Sequence, residues 1–187
     1  MTSLHDIPWP RRTERLELRP VLREDLPAIW EYRRLPEVFR WISGPHADEA
    51  SFVAGSDRML ARSLVVQCDG RVIGDLMVAI EDGWAQRGME EQARAVQAEL
   101  GWVFTPEVAG QGYATEAVRA VIDICFGELG LRRVHAGCIA ANEPSWRLME
   151  RIGMRREEHS RATALHVSGQ WLDGMDYGLL AEEWPTA

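Results

Sequence analysis

The residues that could do chemistry gather in two short stretches of a 187-residue chain. The first is Gly110-Gln111-Gly112, between a strand pattern over Glu99–Thr105 and an amphipathic run over Tyr113–Leu129. Glycines let the backbone turn tightly and come close to a ligand. The start of a helix presents unpaired N–H groups and a positive dipole end, which suit a phosphate or pyrophosphate. A plain tight turn between strand and helix fits Gly-x-Gly equally well, and both readings stand at this point. The second stretch is Asn142-Glu-Pro-Ser145, which opens a helix pattern over Ser145–Arg151. A serine hydroxyl here, and the carboxylate of Glu99 at the start of the strand, are groups that can give and take protons. Ser145 also reads as an ordinary helix-start residue. His135 sits in an apolar strand pattern and reads as structural, and Glu116 as a complement to the helix start.

The elements that must position these residues follow from periodicity. Arg15–Leu22 reads as a first strand, Arg23–Arg34 as a helix broken at Leu35-Pro36, and Pro36–Ser43 as a second helical piece. Asp48–Arg62 reads as one further helix. Ser63–Cys68 and Val72–Ile80 flank Asp69-Gly70, a hairpin signal. Residues 81–97 read as a polar loop insertion, and residues 1–12 as a loose leader. Arg132–Ala141 is a strand, and Arg155–Val167 with Gln170–Leu180 a final hairpin around Ser168-Gly169. The expectation is one α/β domain over 1–187, a mixed sheet with helices packed on it.

Composition narrows the chemistry. All 21 basic residues are arginine, so a Walker-type lysine and a lysine Schiff base are both excluded. The net charge of −8 argues against general nucleic-acid binding. No apolar run approaches the roughly 18 residues of a membrane span. The three cysteines and five histidines show no metal-ligand spacing, so no metal is expected, and the cysteines read as buried, reduced thiols of a cytoplasmic protein. No Gly-x-Ser-x-Gly elbow is present, and a third glycine for a dinucleotide site is missing.

Glu99-Leu-Gly-Trp-Val-Phe, then Pro106…Gly110-Gln-Gly112-Tyr-Ala-Thr-Glu-Ala117, then Asn142-x-x-Ser145…Glu150-x-x-Gly153-Met154 resemble the GCN5-related N-acetyltransferase superfamily. The opening Thr13-Glu-Arg-Leu-Glu-Leu-Arg-Pro20 and the closing Trp171-x-Asp173-x-x-x-Tyr177…Glu183-Trp184 resemble its subgroup that acetylates N-termini of ribosomal proteins. The resemblance implies a sheet in which two parallel strands, Glu99–Thr105 and Arg132–Ala141, splay apart to admit acetyl-CoA. It implies pantetheine pairing at Trp102, Val103 and Phe104. The pyrophosphate would rest on N–H groups of Val108, Gly110, Gln111, Gly112, Tyr113 and Ala114, and Asn142 would bond the pantetheine arm. The oxyanion donor implied is a backbone N–H around Val103.

Two positions depart from the family pattern. Glu107 stands where Gln or Arg is usual, a carboxylate beside a pyrophosphate. Met149 stands where many members carry a tyrosine acid, so Ser145 becomes the candidate thiolate partner, with Tyr113 and Tyr177 as fallback donors. Glu99 is the candidate proton acceptor. A lysine amine (pKa about 10.4) costs roughly 4.6 kcal/mol to deprotonate at pH 7, an α-amine (about 7.8) only about 1 kcal/mol. The expected function is therefore acetyl transfer from acetyl-CoA to a primary amine, preferably a protein N-terminus such as that of a ribosomal protein. The alternatives are a small-amine acetyltransferase (aminoglycoside or polyamine) and a non-catalytic acyl-CoA-binding regulator. The chain is expected to be a monomer or homodimer.

Overall fold

The computed structural model describes residues 4–42, 44 and 46–185. Its strands are β1 (Arg11–Arg12), β2 (Glu17–Pro20), β3 (Ser63–Cys68), β4 (Arg71–Glu81), β5 (Gln97–Phe104), β6 (Arg133–Ile139), β7 (Arg155–Leu165) and β8 (Trp171–Leu180). They form one mixed sheet in the order β1-β2-β3-β4-β5-β6-β8-β7. The β5–β6 pair is parallel; every other pairing is antiparallel. The helices are α1 (Leu26–Arg33), α2 (Pro36–Phe39), α3 (Glu49–Ala54), α4 (Asp57–Arg62), α5 (Tyr113–Gly127) and α6 (Glu143–Arg151).

Strand alternation sorts the core into two layers. Ala98 and Leu100 of β5 join Val118, Ile122 and Met149 of α5 and α6 in one cluster. Val103 faces the other way, with Leu26, Ile29 and Tyr32 of α1 and Phe52 of α3. The sheet thus carries α5 and α6 on one face and α1–α4 on the other, so both faces are covered. Asp69 and Gly70 turn the β3–β4 hairpin with φ of 50° and 75°, the left-handed pair that a two-residue hairpin needs.

Three expectations are corrected. The run Asp48–Arg62 is two helices, α3 and α4, interrupted at Gly55 and Ser56. Residues 4–12 are no loose leader: Leu4 and Ile7 are buried in the main core, Trp9 Nε1 donates to the Leu4 carbonyl at 2.7 Å, and β1 pairs with β2. Of the three thiols only Cys125 is buried; Cys68 and Cys138 are half-buried. Met1–Ser3, Thr186 and Ala187 lie outside the described residues, as does Ser43, the expected end of the second helical piece.

Candidate active site

Pairing between β5 and β6 covers only Gln97↔Arg133, Ala98↔Val134 and Glu99↔His135. Beyond it β5 stays with β4 as far as Gly74↔Phe104, while β6 stays with β8 as far as Ile139↔Gly174. The sheet therefore forks after Glu99 and His135, and a cleft of about 1450 Å³ opens in the fork. Its walls include Leu100–Phe104 of β5, Thr105 just beyond it, and Gly137 and Cys138 of β6.

Which backbone groups face that gap follows from two bonds. Thr105 N–H donates to Ile73 O on β4 (2.9 Å), and Arg132 N–H donates to Val96 O across to β6 (2.8 Å). Successive residues of a strand point their N–H and C=O to opposite sides. Val103 and Gly101 therefore bond β4, whereas the Leu100 C=O and the N–H and C=O groups of Trp102 and Phe104 face the gap unpaired, the Leu100 N–H being taken by the last β5–β6 pair at His135. Val103 N–H, the expected oxyanion donor, is therefore turned to β4, and the neighbouring N–H that faces the gap is that of Trp102.

At the end of β5 the chain turns through Gly110 (φ 77°) and Gly112 (φ 82°) into α5. A side chain at either φ would be strained. The first bond of the helix is Glu116 N–H to Gly112 O. No acceptor among the described residues meets the N–H of Gly110, Gly112, Tyr113 or Ala114, and all four residues line the cleft. Val108 N–H is already bonded to Thr105 O (3.2 Å) and Gln111 N–H to Val108 O (3.4 Å), which removes these two from the expected set. Gln111 does not line the cleft; Val108 does. Glu116 ties the corner to the start of the chain, accepting from Thr13 Oγ1 (2.5 Å), Arg15 N–H (2.9 Å) and Arg15 Nε (2.7 Å). Burial opposes its charge, but these donors prevail and hold its pKa below the usual carboxylate value. Glu107, the departure from the family pattern, is paired with Arg71, whose Nη2 donates to its carboxylate at 2.6 Å. Both side chains are largely exposed.

Asn142 is the N-cap of α6, yet its side chain makes no capping bond and lines the cleft. Ser145 lines it one turn on. Burial raises the pKa of the Cys138 thiol, with the Ser145 hydroxyl pulling the other way. Met149, at the position of the missing tyrosine, is buried in the core behind Ser145. Tyr177 is wholly buried, with its hydroxyl donating to Glu150 Oε1 at 3.1 Å, and is no fallback donor. Tyr113 lines the cleft, with Arg15 stacked 4.4 Å above its ring. The Cys68 thiol pushes the pKa of the Tyr113 hydroxyl up.

On the opposite face the wall carries a network that local sequence does not reveal. Asp75 pairs with Val103 across β4–β5 and is 1% exposed. It accepts from Tyr32 OH (2.7 Å), Arg33 Nε (2.9 Å) and Arg33 Nη2 (2.5 Å). Burial works against the Arg33 charge, and Asp75 outweighs it, so the guanidinium pKa is raised. Glu99 stands beside His135 at the fork, just before the lined segment, and makes no hydrogen bond or ion pair among the described residues. His135 Nε2 is 2.7 Å from Glu81 Oε1, which also accepts from Gln97 Nε2 (2.9 Å). The fold thus gathers Trp102, Val103, Phe104, Val108, Gly110, Gly112, Tyr113, Ala114, Asn142 and Ser145 around one cleft, with Glu99 at its root.

Residues 15–155 match the family model described as "Acetyltransferase (GNAT) domain". The Bacillus subtilis protein named "Uncharacterized N-acetyltransferase YnaD" is 42% identical over 86 residues, 46% of this chain and 50% of that protein. A second, from the same organism, named "Putative ribosomal N-acetyltransferase YdaF", is 39% identical over 88 residues, 47% of this chain and 48% of its own. These matches span about half the length of either relative. A crystal structure of a GNAT-family acetyltransferase from Bacillus anthracis superimposes with a TM-score of 0.77 at 31% identity, covering 92% of this chain and 98% of that one. Among the described residues no helix is long and apolar enough to cross a membrane.

Proposed function

The chain belongs to the GNAT acetyltransferase family, an acetyl-CoA-dependent enzyme, and from that premise we propose that its acceptor is the α-amine at a protein N-terminus. The observation that carries this reading is the state of the carboxylates around the cleft. Asp75, the fully buried one on its wall, has its oxygens occupied by Arg33 and Tyr32. Glu99 stands outside the lined segment. With Asp75 occupied and Glu99 set back from the lined segment, the site suits an amine that is largely neutral already, and an α-amine needs only about 1 kcal/mol at pH 7. The sequence relative named for a ribosomal N-acetyltransferase agrees with it.

The groups present fit acetyl-CoA. Four free N–H groups at a helix start suit a pyrophosphate, and an open strand edge at Trp102 and Phe104 suits an amide-bearing arm added like a further strand. The unbonded Asn142 amide is a further partner for that arm. When bound, acetyl-CoA supplies the acetyl group as a thioester. The N–H of Trp102 donates to the carbonyl oxygen under attack. The amine nitrogen bonds the acetyl carbon and the carbon–sulfur bond breaks. Ser145 donates a proton to the departing sulfur, and Glu99 accepts the amine proton through water.

The test is CoA thiol release with acetyl-CoA and peptides bearing free or blocked N-termini, with aminoglycosides and spermidine alongside. Turnover is expected with free N-termini and not with blocked ones. Ser145→Ala should lower kcat by about 10- to 100-fold, with a smaller change in the KM for acetyl-CoA. Turnover on spermidine or an aminoglycoside alone would sink the N-terminal reading.

A further inference from the structure

One wall of the cleft is built by α1–α4, away from the starts of α5 and α6, and most of its unpaired charges are positive. Arg58 and Arg62 of α4 lie four residues apart, on one side of the helix, and both line the cleft. Met59 between them packs on the same cluster as Val103, which places α4 on this face. Among the described residues neither guanidinium has an ion-pair or hydrogen-bond partner. Other helix and turn arginines differ: Arg34, Arg94 and Arg147 each pair with a glutamate three or four residues away. Like charges at that spacing oppose helix formation, so the pair in α4 works against its own element. Arg40 adds a third cation to the wall, stacked 4.6 Å above Trp41. Against these stands the exposed Glu37. Asp75 is neutralised by Arg33, and Asp57 pairs with Arg23. A positive rim in a chain of net charge −8 does not follow from composition.

We propose that Arg58 and Arg62, helped by Arg40, form an acceptor subsite for carboxylates close to the reactive amine, so that the preferred substrate is an acidic N-terminal peptide segment. This rests on the N-terminal reading above and narrows it. Guanidinium–carboxylate pairing in a partly desolvated cleft is stronger than at an open surface. The same cations repel a polyamine.

The experiment measures binding and transfer separately. Peptides of one length, differing only in carrying Asp/Glu, Asn/Gln or Arg/Lys at positions two to four, are labelled at the C-terminus. Their binding to the enzyme with CoA is followed by fluorescence anisotropy. The acidic peptide should bind about tenfold tighter than the neutral one, with the gap narrowing as salt rises. Arg58→Gln/Arg62→Gln should close the gap, and Arg132→Gln, at the closed start of β6, should leave it. Arg58→Glu/Arg62→Glu should turn the preference towards the basic peptide, a gain that a misfolded variant cannot give. Equal or tighter binding of the neutral or basic peptide, a gap that survives the double substitution, or no binding in the series overturns the subsite. Acetyl transfer to the same peptides tests the underlying reading. Transfer without charge preference removes the subsite and keeps the N-terminal acceptor. Tight acidic binding without transfer keeps the subsite and removes that acceptor.

Discussion

Asp75→Ala is expected to be among the most destabilising single changes on the cleft wall. Asp75 is 1% exposed, and the Arg33 side chain only 20% exposed. Removing the carboxylate takes away three accepted bonds at once, at 2.7, 2.9 and 2.5 Å. It leaves a guanidinium without its counter-charge and a buried phenol without an acceptor. Breaking a buried pair by deleting one partner costs about 3–5 kcal/mol. Tyr32→Phe deletes one bond and leaves Asp75 its arginine, so about 1–2 kcal/mol is expected. Arg33→Met with Asp75→Leu removes both charges, and should cost clearly less than Asp75→Ala alone. Urea unfolding reads this directly. With a slope of about 2–3 kcal/mol per molar, the midpoint of Asp75→Ala should fall by roughly 1–2.5 M. Because Asp75 lies opposite Val103, the KM for acetyl-CoA should rise in the same variant. A midpoint within about 0.3 M of the parent would mean that the network is solvated in solution, and the reasoning would fail.

Two further outcomes follow from the site. Gly74→Ala would place its Cβ 2.5 Å from the Phe104 ring and 2.7 Å from Val103 O. The end of β5 must shift, so stability should drop by about 1–3 kcal/mol and acetyl-CoA binding should weaken more than kcat; unchanged melting and KM would refute the contact. Glu116 has a folded-state pKa below the ordinary 4.5. Its stabilisation is therefore present above that value and is lost as pH falls through the folded pKa. Acid melts of Glu116→Gln should show a flatter loss of stability below about pH 4.5 than the parent, and identical slopes would contradict the assignment.

Much of this architecture is legible in the sequence because it is local. Alternation marks β3 and β4, Asp69-Gly70 marks their turn, and three-four spacing marks α5. Gly110 and Gly112 announce a corner whose positive φ angles the fold requires. What stays hidden is what depends on partners far along the chain. Arg33 and Asp75 are 42 residues apart, and nothing near either one names the other. The direction of each N–H on β5 depends on register with β4 and β6, so Val103 and Trp102 are indistinguishable as donors before pairing is known. Leu4, Ile7 and Trp9 are too few to show a period, yet they are core. The break between α3 and α4 is signalled by Gly55 alone, and a lone glycine is tolerated inside many helices. The fork itself comes from the family resemblance, since both strands read as continuous apolar runs.

A sheet that lacks a neighbour along Leu100–Phe104 leaves part of its cohesion to whatever occupies that edge. A molecule that seats there and not on the unfolded chain raises the melting temperature by mass action, about 2.7 kcal/mol at one hundred times its dissociation constant. With acetyl-CoA seated there, as proposed above, the lifetime of the folded protein against proteases would track its supply. A cell short of acetyl thioesters would hold a looser population of this protein, more readily cleared, and a well-fed cell would hold a durable one.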